Sequence, residues 1–128
     1  MKMRFVLVLA LSVMGVAMAG CGTVCTGNNC ICASDQSCGF DTCSASTAGC
    51  NFSCGSGATC TGTCGTGCNI TCAGKSCSHS AGAGSNIACT SGTCTITCNG
   101  TCSVATSGGA TMNLTCQGGS TSGPSGCL

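Results

Sequence analysis

The sequence predicts an all-β fold, a short disulfide-stapled β-solenoid following a cleaved signal peptide, and three observations carry that prediction. A short unit recurs: Cys50-Asn-Phe-Ser-Cys54, Cys68-Asn-Ile-Thr-Cys72, Cys94-Thr-Ile-Thr-Cys98 and Met112-Asn-Leu-Thr-Cys116, with Asn86-Ile-Ala-Cys89 as a fainter copy. The apolar residues of these units, Phe52, Ile70, Ile87, Ile96 and Leu114, step by 18, 17, 9 and 18. That is a base period near nine, one strand and one turn at a time. The third observation is compositional: 19 of the 128 residues are Cys and 22 are Gly, while Leu, Ile, Val and Phe fill only ten positions after residue 20. A chain this poor in large apolar side chains holds a fixed shape only if cross-links replace the missing core.

Residues 1–20 read as a secretory signal peptide. Lys2 and Arg4 open it, an apolar run follows from Phe5 to about Val16, and small residues close it. The apolar run is short for a membrane span. Two cleavage readings follow. Ala17-Met18-Ala19 fits an A-x-A site that releases a chain starting at Gly20, whereas Met18-Ala19-Gly20-Cys21 resembles the bacterial lipobox, which implies a diacylglycerol on Cys21. An odd cysteine total leaves one thiol over, and lipidation of Cys21 leaves an even 18.

Residues 21–49 fit the repeat poorly and read as a divergent cysteine-rich cap or linker. Residues 50–116 carry the solenoid repeats. In each unit the period-two alternation sends Cys, the large apolar residue and the next Cys to one face, and Asn and Thr or Ser to the other. Gly-rich segments such as Gly55-Ser-Gly57, Asn99-Gly100 and Gly108-Gly109 supply the turns. Residues 117–128, rich in Gly and Ser, read as a flexible tail that Cys127 pins back.

The cysteine spacing excludes several chemistries. No two cysteines are three apart, so the C-x-x-C pairs of zinc ribbons, iron–sulfur ferredoxins and thioredoxin-like redox sites are missing. Cys30-Ile31-Cys32 is the one C-x-C, against the many of thiolate-cluster proteins. The disulfide candidates are Cys25, Cys30, Cys32, Cys38, Cys43, Cys50, Cys54, Cys60, Cys64, Cys68, Cys72, Cys77, Cys89, Cys94, Cys98, Cys102, Cys116 and Cys127, enough for nine bridges. The dominant spacing is C-x-x-x-C. In a strand such residues lie about 13 Å apart, beyond the roughly 4.4–6.8 Å between Cα atoms that a bridge tolerates. Bridges are therefore expected to reach a stacked neighbour and join successive rungs.

The residues that follow the leader carry Lys75 against Asp35 and Asp41, with His79 as the single imidazole. There is no basic patch to follow a phosphate backbone and no exposed aromatic platform, so nucleic acid is excluded as a partner. One His and two acids make no oriented nucleophile, His79 reads as an exposed loop residue, and the chain is expected to be no enzyme, with no cofactor and no metal. Of the sequons at Asn51, Asn69, Asn99 and Asn113, three occupy one outer-face position of the repeat, and they read as that rather than as glycan acceptors. Thr71, Thr95, Thr97 and Thr115, with Thr61, Thr63 and Thr101 nearby, are expected to give an outward hydroxyl face.

The Asn-Ile-Thr-Cys and Asn-Gly-Thr-Cys units between about residues 50 and 116 resemble the short-repeat β-solenoid domains of unknown function in cysteine-rich bacterial lipoproteins. That resemblance implies a fold and a surface location, not a reaction. Thr59-Cys60-Thr61 and Thr93-Cys94-Thr95 are similar to the Thr-Cys-Thr faces of insect antifreeze solenoids, whose twelve-residue period is not kept. The expected function is that of a non-catalytic, exported, lipid-anchored structural or surface-interaction protein, on the outer membrane or cell surface or else secreted. An ice- or surface-binding solenoid is the alternative, and thiolate metal sequestration the third reading. Its membrane partner would be reached through the lipid on Cys21.

Overall fold

The computed structural model describes residues 23–40 and 43–128. The signal peptide, Cys21 and Asp41 lie outside the described residues. Thirteen strands and no helix make up the described chain, and the alternation read from the sequence is what shapes them. In β4 (Asn51–Cys54) and β6 (Asn69–Cys72) every second residue is buried and the residues between are exposed.

The strands wind as a β-solenoid. β2 (Asn29–Cys32), β4, β6, β8 (Ser85–Cys89) and β10 (Cys102–Thr106) pair in parallel down one sheet. β3 (Ser37–Phe40), β5 (Thr59–Thr63), β7 (Ser76–Gly82), β9 (Thr93–Asn99) and β11 (Thr111–Gln117) pair in parallel down the other. Each rung contributes one strand to each sheet. In register, Asn29, Asn51, Asn69 and Asn86 stack in one column, so a rung from residue 51 onward is 17 or 18 residues and a strand with its turn is near nine, as the apolar steps predict.

The copies of the repeat nonetheless divide between the sheets. Those at Phe52, Ile70 and Ile87 lie on the first sheet and those at Ile96 and Leu114 on the second. The single step of nine, from 87 to 96, is where the recurring unit passes from one face of the molecule to the other.

Two boundaries read from the sequence move. Residues 23–40, taken as a divergent cap, contain the first rung, since β2 and β3 pair in register with β4 and β5. Only β1 (Thr23–Thr26) is a true cap, folded antiparallel onto β2 across a turn at Gly27. Poorly repeated sequence suffices here because pairing requires inward cysteines at 30, 32 and 38 and little else. The tail is likewise ordered: β13 (Gly126–Cys127) pairs antiparallel with β10, and β12 (Ser122–Gly123) with β13. Cys127 is fully buried and bridged to Cys116. Antiparallel strands thus close both ends of the first sheet, covering edges that would otherwise offer unpaired backbone groups.

The bridges do not join successive rungs. Cys32, Cys54, Cys72 and Cys89 stack in one column and Cys38, Cys60, Cys77 and Cys94 in the facing one. The bonds run across the interior within a rung, Cys32 to Cys38, Cys54 to Cys60 and Cys89 to Cys94. At the opposite turn Cys43 bridges Cys50, Cys64 bridges Cys68 and Cys98 bridges Cys102, and Cys25 with Cys30 closes the cap hairpin. Columns of inward side chains on one sheet point side by side, whereas those on facing sheets point at one another. The C-x-x-x-C rule fails only where the three intervening residues form the turn. Cys64 and Cys68 lie 6.5 Å apart between Cα atoms and Cys98 and Cys102 6.3 Å, within reach of a bond. The spacings at 50/54, 60/64, 68/72 and 94/98 span strands and stay unbridged to each other.

Candidate functional site

Two features stand out against the repeat, an outward hydroxyl face and an inward thiol–imidazole cluster. The face lies on the second sheet. Register places Thr59, Ser76, Thr93 and Thr111 in one column and Thr61, Ser78, Thr95 and Asn113 in the next. Thr63, Ser80, Thr97 and Thr115 form a third. Rows are about 4.8 Å apart and columns about 6.6 Å, the repeat distances of a pleated sheet. Three successive rungs therefore read Thr-Cys-Thr, Ser-Cys-Ser and Thr-Cys-Thr, with the cysteines inward and the hydroxyls outward. None of these outward positions is charged.

Of the threonines expected on one face, Thr61, Thr63, Thr95, Thr97 and Thr115 are brought together. Thr71 is on the other sheet and Thr101 follows β9 in a turn. The third column is not open. Ser44 and Ala45 overhang Thr63, Ser80 and Thr97, making a cleft of about 630 Å³ along that edge. Thr61 and Ser78 of the second column line the same cleft, and the column of Thr59, Ser76, Thr93 and Thr111 lies clear of it.

The first sheet carries a different outer array. The side-chain amide of Asn51 donates to Asn29, that of Asn69 to Asn51 and that of Asn86 to Asn69, at 2.6, 2.9 and 3.3 Å. Two of the sequon nitrogens are thus already engaged in a ladder. Asn113 holds the same position of the repeat but stands on the opposite sheet, so the three do not share one column.

Inside the third rung the bridge pattern breaks. Cys72 and Cys77 occupy the columns that are bridged in the rungs on either side, yet both are free and buried. Eighteen cysteines allow nine bridges; among the described residues eight are formed. His79 is not a loop residue. It sits on β7, 3% exposed, and its side chain turns inward because Cys77 does and the strand alternates. The donor atoms of Cys72, Cys77 and His79 all lie within 4.8 Å of one another.

The imidazole is packed as an aromatic. Phe40 stacks on Phe52 with ring centroids 4.5 Å apart, and His79 lies 5.7 Å from the first and 5.4 Å from the second. Neither ring nitrogen completes a hydrogen bond. Between the thiols, the hydrogen bond from Cys72 to the Cys77 sulfur lowers Cys77 below the ordinary thiol range, against its burial and with help from His79. The same bond, together with burial, holds Cys72 well above that range.

The signal for this cluster was present in the sequence. Cys77-Ser-His-Ser-Ala81 alternates like every other strand of the chain, which directs His79 inward beside Cys77. The partner Cys72 could not be assigned from spacing, since it belongs to the facing sheet. Asp35 lies in an exposed turn with φ 60°.

Against known proteins the chain matches no family model, no curated protein and no solved structure. Of the resemblances drawn from the sequence, the cysteine-rich β-solenoid with many disulfides is what the structure bears out.

Proposed function

We propose that this chain is an exported protein, anchored to a membrane by a lipid on Cys21, that works without catalysis as a rigid solenoid presenting its second sheet to an uncharged partner surface. The observation that carries this reading is the in-register hydroxyl array. Twelve outward positions in three columns are filled by eleven Ser or Thr and one Asn, and none is charged. Strand propensity alone favours Thr on an exposed sheet, but it favours Val and Ile as well. Their complete exclusion here marks a face kept small and neutral. Eight bridges support an oxidising compartment, because reduced cytosol does not maintain them.

The test is to replace Thr61 and Thr95 together with Lys in a Cys21→Ala chain, which carries no lipid, and to compare its retention on intact cells or extracellular matrix with that of Cys21→Ala alone. Loss of retention with unchanged far-UV circular dichroism is expected; undiminished retention would move the interaction elsewhere. Intact mass of the natural protein decides the anchor. A diacylglyceryl mass on a chain beginning at Cys21 is expected, and an unmodified chain beginning at Gly20 removes it.

A second reading, ice binding, is favoured by one specific observation, the Thr-Cys-Thr, Ser-Cys-Ser and Thr-Cys-Thr sequence of rungs. It requires a flat lattice match over the whole face, and the cleft beside Ser44 and Ala45, which reaches Thr61 and Ser78, leaves one column clear for it. Thermal hysteresis lost in the same Thr61→Lys, Thr95→Lys variant would establish it.

A further inference from the structure

We infer that Cys72, Cys77 and His79 form a buried site for one soft monovalent cation, Cu(I), held by two sulfurs and one imidazole nitrogen. Three observations meet at this point. The only cysteines left unbridged among the described residues are this pair. The single histidine of the chain is placed beside them, and all three donors fall within a 4.8 Å span. Its two ring nitrogens are buried without a hydrogen-bond partner.

Packing alone does not account for the imidazole. In register, the residue facing the same interior position is Ile96 in the next rung and Gly62 in the one before. An apolar side chain would fill the space, whereas a buried polar group left unpaired costs roughly 1–3 kcal/mol. A coordinated metal satisfies one of the two ring nitrogens and removes that share of the cost. Both sulfurs must coordinate as thiolates, so binding also releases the Cys72 proton to solvent, since a metal ligand must be deprotonated.

The donor set selects the ion. Thiolates favour Cu(I) and Zn(II) over harder cations. Structural zinc takes four protein ligands, and catalytic zinc keeps a solvent position open. Among the described residues the cluster offers three donors, and its members are 0, 1 and 3% exposed. Three-coordinate Cu(I) needs neither a fourth ligand nor water. The ring stack of Phe40 and Phe52 against His79 keeps the imidazole plane fixed and the surroundings apolar.

The chain tolerates a rung without its bridge, as Ala81 and Ser85 show at the other turn, so variants at this pair are expected to fold. The experiment uses the full exported chain purified without thiol reductant. Free thiols are counted in denaturant, and the native protein is titrated with Cu(I), kept reduced by ascorbate, against the competing chelator bicinchoninate. Two free thiols and one bound Cu(I) are expected. Cys77→Ser should abolish binding with unchanged circular dichroism, and His79→Phe, which preserves the ring stack, should weaken it at least tenfold. A ninth bridge with no free thiol overturns the proposal. So does failure to retain Cu(I), or its displacement by equimolar Zn(II).

Discussion

Gly62 shows how finely a core of so few large side chains is fitted. It faces the interior of β5, and a Cβ there would lie 3.1 Å from the His79 Nδ1, the Phe40 Cβ and a Phe52 ring carbon. The missing side chain is what lets three rings stack across two sheets. Gly62→Ala should be close to neutral, because the lost chain entropy of glycine, worth about 0.5–1 kcal/mol, offsets a contact relieved by small shifts. Gly62→Val adds two further methyl groups against the same rings and should cost about 1–3 kcal/mol, read as a lowered thermal midpoint. Equal midpoints for Val and Ala would refute the ring packing. At the exposed Asn ladder the stakes are smaller: Asn69→Ala removes one amide that both donates and accepts, and a loss of about 0.5–1.5 kcal/mol is expected in chemical denaturation.

At the scale of strands and turns, the first, second and fourth rungs carry a bridge at each of their two turns, and the third carries neither. At the turn between β7 and β8, Ala81 and Ser85 stand in the columns held elsewhere by Cys64 with Cys68 and Cys98 with Cys102. Ser85 substitutes for the bond. Its hydroxyl donates to the Gly82 carbonyl at 2.7 Å and accepts from the Cys68 amide at 3.1 Å. Ser85→Ala strands that buried amide, and a loss of about 1–3 kcal/mol should follow. Restoring the bridge with Ala81→Cys and Ser85→Cys closes a short loop worth about 2 kcal/mol but sacrifices both hydrogen bonds. The two effects nearly cancel, so the double variant should unfold within about 1 kcal/mol of the parent in guanidinium. A gain above 3 kcal/mol would show that the serine contributes nothing.

For the whole molecule the decisive quantity is cross-linking. The eight bridges close loops with sequence separations between 4 and 11, about 2–3 kcal/mol each in the chain-entropy view. Removing several of them exceeds the 5–15 kcal/mol by which domains are ordinarily stable. Complete reduction should therefore abolish the β circular dichroism, and retention of it under full reduction would mean that the sheets hold themselves. The ends matter separately. Cys127→Ser releases β13 from β11 and exposes the β10 edge, so elution as larger species than the parent is expected on size exclusion.

The alternation of inward Cys and apolar residues with outward Asn, Thr and Ser is a local property, fixed by the opposite directions of successive side chains in a strand. It made the fold class, the rung length near 18 and the replacement of an apolar core by sulfur legible in the residues themselves. Which sulfur meets which was not, because partners in a solenoid sit on facing sheets, and only the closed winding decides whether three intervening residues run as strand or turn. The same geometry decided the rest. It drew residues 23–40 and the C-terminal tail into the sheets, divided one repeat between two faces, and turned a histidine that looked solvent-facing toward two thiols from different strands.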